Sequence, residues 1–402
     1  MKQSTAEQMR QWRGPAIFSF GFRPLFLLAC LWATVAMVLW IAMLAGWYAL
    51  PTDFDPVTWH AHEFLFGYVS AVVAGFLLTA VPNWTGRLPV VGWPLAGLSA
   101  LWLLGRLAIA TSAYFSTFSV AVVDLAFLLV MWMFLLREII AGKKWANLPV
   151  LILLAVLIFA NAIFHIEGAQ SGAASQGYGL RLGLAAVLVL IMLIGGKVTP
   201  SFTRNWLVKR GETALPSPPM RRFDKAVLVV SGLVLLAWVI APTHGFVGVA
   251  LLGIGVLHTV RLIRWQGHKT TGEPLVFVLH VGYAFIPLGA LANALSIVSP
   301  HLISHAAALH IWTAGAIGLM TVAVMTRASL GHSGRALHAE KRTMLIYAAL
   351  VAATFTRLAA DLFMDFRSPL LNGTAVLWVV GFAGFVAIYG PLLIKQKSGT
   401  EI

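Results

Sequence analysis

The sequence predicts an all-α integral membrane protein with about twelve transmembrane helices. Of its 402 residues, 59% are hydrophobic and only 10% are charged, and the mean hydropathy is +0.86. No soluble fold can bury that much apolar surface. Apolar runs long enough to cross a bilayer recur along the whole chain. Residues 1–402 are therefore expected to form a single integral membrane domain in contact with the lipid bilayer.

Twelve candidate spans follow one another with short connections. They are expected near residues 25–48, 57–81, 93–113, 118–138, 148–168, 178–196, 225–241, 245–264, 273–296, 300–325, 342–362 and 372–394. The first span follows a polar, basic N-terminus without a convincing cleavage site, which favours a retained helix over a signal peptide. The longest connection, Lys197 to Lys225, is basic and contains Pro216-Ser217-Pro218-Pro219, so it is predicted to be a loop.

The basic residues predict the orientation of the chain. Of 28 Lys and Arg residues, 24 fall on one side of the predicted membrane, in the two termini and the even-numbered loops. The opposite loops contain only Arg181 and Arg367. Positive residues stay on the cytoplasmic side, so both termini are expected in the cytoplasm. The net charge of +14 is then explained by topology, and no nucleic-acid partner is expected.

Ionisable residues begin the second span, in the stretch Trp59–Gly67 with the sequence WHAHEFLFG. Asp55 and Pro56 just upstream are typical of a helix start, since Asp caps free amides and Pro tolerates the first helical position. His60, His62 and Glu63 therefore lie near the mouth of a membrane helix. Ionisable groups are costly there, which indicates a functional site.

Several histidines from different helices are predicted at one depth. Those in the outer half of the membrane are His60, His62, His165, His305 and His310, whereas His258 and His280 lie nearer the cytoplasmic side. Imidazoles from separate helices at one level are what a haem or copper site requires. Interfacial or structural histidines remain the alternative. The single cysteine, Cys30, excludes both a disulfide within the chain and a multi-cysteine metal site.

A faint internal repeat relates the second span to the tenth. A shift of 248 residues matches His62 with His310 and Gly67 with Gly315, and a shift of 251 matches Arg106 with Arg357. The pattern suggests three repeats of four helices, over residues 24–147, 148–270 and 271–395. His62 and His310 would then occupy equivalent inward faces.

Long motifs make the sequence resemble the NnrS family. They are WHAHEFLFG, GFLLTAVPNWTGR, VLHVGYAFIPLGAL, ALHIWTAGAIGLMTVAVMTRASLGHSGR and the opening GFRPLFLLACLWA. The resemblance implies a twelve-span bacterial inner-membrane protein that contains haem, expected to be b-type, and copper. It also implies a role in the nitric oxide response of denitrifying and related bacteria, with nitric oxide or nitrosyl species as ligand. The family's histidine motifs match His60, His62, His280 and His310.

Two further interpretations concern architecture and function. Three four-helix arcs are similar to the catalytic subunit of haem–copper oxidases, but spans 6 and 7 lack the histidines that supply copper ligands there. Fold analogy does not establish chemistry. Twelve spans also suit a secondary transporter, although a carrier predicts a repeat of six helices. Whether the protein is an enzyme or a sensor stays open.

Specific ligands can be assigned as hypotheses. We expect His62 and His310 to be axial ligands of haem iron. The rivals are His305 in the tenth span and His280 in the ninth. His60 and His305 are expected at copper, with His165 as a further ligand. Two arginines, Arg106 and Arg357, are expected to bind haem propionates; the alternative is that they pair with Asp124 and Asp361. Glu63 is expected to orient an imidazole or to face lipid headgroups.

Overall fold

All the regular secondary structure is helical in the residues that the computed structural model describes, 12–87, 89–172 and 174–395. Within them, twelve helices are long and apolar enough to cross a membrane, which confirms the predicted fold class. The helices are Phe22–Leu44 (α1), Pro56–Thr85 (α2), Trp93–Ala110 (α3), Thr117–Gly142 (α4), Leu148–Ser171 (α5), Tyr178–Lys209 (α6), Arg222–Ile240 (α7), Gly245–Ile263 (α8), Pro274–Val298 (α9), His305–His332 (α10), Lys341–Leu362 (α11) and Arg367–Ile394 (α12). The basic residues Lys2, Arg10 and Lys397 used in the orientation argument lie outside the described residues.

Two helices extend beyond the predicted ends of their spans, near residues 81 and 196, and each contains a proline in the extension. α2 continues through Pro82 to Thr85, and α6 continues through Pro200 to Lys209. The prediction of a loop from Lys197 to Lys225 is therefore wrong over its first half. Hydroxyls near both prolines bond to helix carbonyls: the Thr85 hydroxyl donates to the Val81 carbonyl at 2.9 Å, and the Thr203 hydroxyl donates to the Thr199 carbonyl at 2.9 Å. Such bonds help a membrane helix to tolerate proline.

The chain forms two compact units. Unit 1 comprises the described parts of residues 1–183, 329–335 and 385–402, and unit 2 comprises residues 184–328 and 336–384. In unit 1, α1 packs on α2, and α4 packs on both α3 and α5. In unit 2, α8 packs on α7 and α9, and α10 packs on α9 and α11. The single domain and its three repeats stay predictions, because compactness alone does not define a repeat.

Two helices contain a π-helical segment directly after a predicted iron ligand. In α2 the segment is Glu63–Tyr68, immediately after His62, and in α10 it is Ile311–Gly318, immediately after His310. A π turn closes hydrogen bonds over five residues instead of four, and such turns occur frequently at functional sites. The two widened turns lie at positions that the 248-residue shift relates.

Candidate metal centre

The first turns of α2 bring His62 and Glu63 into the interior of unit 1. The Asp55 carboxylate accepts hydrogen bonds from the amides of Val57 and Thr58 at 2.9 and 3.2 Å, and Pro56 is the first helical residue, as the sequence predicted. His62 and Glu63 are fully buried, with 0% of each side chain exposed. A capped helix start thus fixes where two costly polar groups enter the protein core.

Both nitrogens of the His62 ring face oxygen atoms. Nδ1 donates to Glu63 Oε1 at 3.0 Å, and Nε2 lies 3.2 Å from both Asp124 Oδ2 and Asn161 Oδ1. The Glu63 contact is the orienting role that the sequence suggested for this carboxylate. An imidazole whose Nδ1–H is held by a carboxylate presents its other nitrogen to a metal, an arrangement common in metal sites.

Asp124, on α4, is the centre of the polar cluster. Its Oδ2 accepts from the Asn161 amide at 2.7 Å and lies 3.1 Å from His165 Nε2, while its Oδ1 accepts from Arg106. Asp124 and Asn161 are 3% and 1% exposed. One carboxylate from α4 thus joins residues from α2, α3 and α5 in a site shielded from solvent.

Arg106, on α3, balances part of the negative charge of the cluster. Its guanidinium donates to Glu63 Oε1 at 2.7 Å and to Asp124. Pairing with Asp124 is the alternative that the sequence left open for this arginine, and propionate binding stays a prediction. The carboxylates of Glu63 and Asp124 carry two negative charges and the Arg106 guanidinium carries one positive charge, so the cluster has one net negative charge. Either a proton on an imidazole or a bound cation neutralises it.

Aromatic rings surround the two imidazoles of the cluster. The His62 and His165 ring centroids are 5.3 Å apart, and Phe54 packs against both, at 5.7 and 6.1 Å. Phe66 and Phe164 each lie 5.4 Å from His62. An apolar wall of this kind excludes water and strengthens the electrostatic interactions inside it.

Three side chains of the cluster can hold a metal ion. One ligand atom each from His62, Asp124 and His165 lies within 4.8 Å of the other two, and all three residues are buried. Two imidazoles and a carboxylate are a donor set for borderline transition metals, including copper, iron and zinc. The residues present therefore fit a metal ion.

The other predicted ligands lie in separate surroundings. The His60 ring stacks on Trp40 with centroids 4.2 Å apart, and in unit 2 the His305 ring lies 6.4 Å from Trp238. His280 contacts the Thr203 hydroxyl through Nε2 at 2.7 Å. The structure brings His165 together with His62, and the copper role of His60 and His305 stays a prediction.

His310 has a hydrogen bond that fixes its tautomer. Its Nδ1 donates to the Ala306 carbonyl at 2.7 Å, so the lone pair of the neutral ring is on Nε2, the usual form of a metal-ligating histidine. On α11, Arg357 pairs with Asp361 at 3.3 Å, again the alternative left open by the sequence. The donor chemistry of His310 therefore fits an axial haem ligand.

Comparison with known proteins identifies the family. The family model described as NnrS protein matches residues 16–397, nearly the whole chain. This chain belongs to the NnrS family. Membership supports a multi-pass membrane protein of the nitric oxide response, and it suggests metal or haem binding. A search of curated proteins finds no match to this chain.

Sequence reasoning missed two members of this polar cluster. Asp124 was considered only as an ion-pair partner of Arg106, and Asn161 was not singled out at all. Each is a lone polar residue inside an apolar span, in VAVVDLAFLL and LIFANAIFHI. A buried polar residue needs a hydrogen-bonding partner. The presence of Asp124 and Asn161 in otherwise apolar spans was therefore the sequence signal that could have identified both residues.

Proposed function

We propose that this NnrS-family protein binds copper at His62, Asp124 and His165 and binds haem in unit 2. With these cofactors it binds, senses or turns over nitric oxide or metal nitrosyl species. The observation that carries the proposal is the convergence of three buried ligand atoms within 4.8 Å. The alternative, a secondary transporter, has no comparable geometric support.

Each residue of the centre has a distinct part in this proposal. His62 and His165 supply neutral nitrogen, and Asp124 supplies a charged oxygen. Glu63 holds the Nδ1 proton of His62, which keeps Nε2 directed at Asp124. Asn161 donates to Asp124 and fixes its carboxylate plane. Copper bound here would supply a redox-active centre to which nitric oxide can coordinate.

The same charge balance predicts how the site responds to a metal. Without a cation, a proton on an imidazole neutralises the excess carboxylate, and His62 then donates from both nitrogens. A cation held by His62, Asp124 and His165 would take the place of that proton, since a ligating imidazole is neutral. Metal binding is therefore expected to release protons and to weaken as the pH falls.

Haem is assigned to His310 because its Nε2 carries the ring's lone pair. This assignment gives His62 to copper and so departs from the predicted axial pair of His62 and His310. His280 remains the rival axial ligand. Bound haem would supply iron that coordinates nitric oxide, and Arg357 lies in the same unit as a candidate propionate partner.

The proposal is tested on the purified protein by absorption spectroscopy and elemental analysis. We expect copper and haem in the wild type, loss of copper but not haem in His165→Ala, and loss or altered coordination of haem in His310→Ala. If His280→Ala loses haem while His310→Ala keeps the wild-type spectrum, the haem assignment is wrong. A colourless, metal-free preparation contradicts the whole proposal and favours the transporter.

A further inference from the structure

A second group of polar atoms lies around Glu63 Oε2, the carboxylate oxygen that does not bond to His62. A Cβ atom added to Gly67 would lie 2.9 Å from Glu63 Oε2, 3.2 Å from Trp32 Nε1 and 2.5 Å from Arg106 NH1. Three helices, α1, α2 and α3, thus direct polar atoms at the same glycine. We call this group, formed by Trp32, Glu63, Gly67 and Arg106, the Gly67 pocket.

The polar atoms of the Gly67 pocket need a hydrogen-bonding partner. Glu63 Oε2, Trp32 Nε1 and Arg106 Nε are buried, and none bonds to another described residue. Trp59 Nε1, one helical turn before Glu63 and edge-on to Trp32, is in the same situation. Buried polar groups without a partner are costly and rare in proteins. Two of them, Glu63 Oε2 and Trp32 Nε1, lie beside Gly67 and indicate a bound polar guest there.

The hydrogen-bonding character of the pocket selects the guest. Glu63 Oε2 accepts a hydrogen bond, whereas the indole and guanidinium N–H groups can only donate. The guest must therefore donate to one side and accept from the other. Glu63 Oε2 and Trp32 Nε1 lie 2.9 and 3.2 Å from the position that a Cβ atom on Gly67 would occupy. The two atoms are therefore close enough to each other for one small molecule to bridge them.

We propose that the Gly67 pocket binds water, which bridges Glu63 Oε2 to the indole N–H of Trp32. The bound water satisfies the second oxygen of Glu63 and holds its side chain in place. Glu63 Oε1 then stays on Nδ1 of His62, and the ring stays oriented toward Asp124. In this last step the inference rests on the proposed metal site, with Glu63 and its water as positioning groups.

An experimental structure that resolves ordered water tests the proposal directly. We expect density within hydrogen-bond distance of Glu63 Oε2 and Trp32 Nε1 in the wild type. Gly67→Ala should lose this density and have a lower melting temperature. Gly97→Ala on α3 is the matched control, because a Cβ at Gly97 meets no atom within 4 Å. Wild-type density that lacks this peak would overturn the proposal.

A second variant keeps the test decisive if Gly67→Ala does not fold. Trp32→Phe retains a ring but removes the N–H donor, so it should weaken or displace the water. We also expect metal affinity to fall about 10- to 100-fold, because Glu63 then holds the His62 ring less firmly. An unchanged water and an unchanged affinity in Trp32→Phe would contradict the proposal.

These outcomes separate the water from the metal. The density is measured on metal-free protein, so it tests the Gly67 pocket independently of the cation. Failure of the wild-type protein to bind copper would contradict the proposed metal site. The proposed water would still be tested by the density. Copper binding without the water would sink the Gly67 pocket alone.

Discussion

Arg106 connects the stability of unit 1 to the charge of its polar cluster. Its guanidinium is 3% exposed and contacts both Glu63 and Asp124. Removing one partner of a buried ion pair leaves an uncompensated charge in the interior, which costs far more than the pair itself contributes. We therefore expect loss of Arg106 to destabilise unit 1.

Arg106→Met should lower the free energy of unfolding by about 3–5 kcal/mol, because two buried carboxylates then share no cation. The control is Arg87→Met, which removes a partner of Glu138 where the arginine side chain is 38% exposed. That pair should contribute only about 0–1 kcal/mol. Denaturant titration in detergent measures both. Equal, small effects would show that Arg106 does not neutralise the cluster.

Glu63→Gln should weaken metal binding about 10- to 100-fold without abolishing it, because an amide holds the His62 proton less firmly than a carboxylate does. Glu138→Gln on α4 changes the same residue type outside the cluster and should leave affinity unchanged. Competition titration with a chelator gives both values. A wild-type affinity for Glu63→Gln would remove this residue from the centre.

The sequence predicts part of this site for identifiable reasons. His62 and Glu63 follow a recognisable helix start, so both the pair and the orienting role of Glu63 could be inferred. The packing of α2, α4 and α5 determines which residues contact His62, namely Asp124, Asn161 and His165. Spans that are apolar on nearly all sides give no periodic signal for the packed face.

At the scale of elements, the π-helical segment of α2 sets the direction of the site. Glu63–Tyr68 widens the helix directly after His62, and Gly67 contributes its carbonyl to the Trp102 indole at 3.0 Å. A widened turn changes the angle between the residues before and after it. His62 and the packed face of α2 therefore have the relative orientation that the π turn provides.

Deleting Leu65 should convert the π turn to an α-helical one and rotate His62 by about 100° relative to the rest of α2. We expect loss of metal binding. Leu65→Ala removes side-chain volume at the same position without changing the number of residues, so it should retain the metal. Elemental analysis of the two purified variants compares them. Metal retained after the deletion would show that the π turn is dispensable.

Helix boundaries show where sequence patterns are least informative. The spans of α2 and α6 were expected to end near residues 81 and 196, but both helices continue through a proline, which lacks an amide proton and disfavours the helix interior. In apolar surroundings a chain that leaves the helix exposes unsatisfied carbonyls, so continuing through proline is less costly. Gly86, with a φ of 69°, provides the left-handed residue that ends α2 instead.

At the scale of the whole molecule, the number of spans follows from composition, whereas their orientation follows from charge. Twelve apolar helices are present among the described residues. The asymmetry of the Lys and Arg residues supports termini in the cytoplasm, with 24 of 28 basic residues on that side. Orientation decides whether the metal centre lies in the outer or the inner half of the membrane.

Reporter fusions test this orientation. A reporter fused after Gly172, at the end of α5, should report an outer location, and one fused after Arg210, just beyond α6, should report a cytoplasmic one. Enzymatic reporters active on only one side of the membrane distinguish them. The same location for both fusions, or the reverse assignment, would contradict the orientation and the depth of the centre.

The most direct test of the metal centre is the copper content of Asp124→Asn protein, reconstituted with copper and compared with the wild type. Asparagine keeps the shape of the side chain but removes its charge, so copper should be lost while the helices stay folded. His301→Ala, which removes an exposed loop histidine, should bind copper like the wild type. We predict stoichiometric copper in the wild type and in His301→Ala, and little in Asp124→Asn. Equal copper in all three proteins would contradict a centre built on His62, Asp124 and His165.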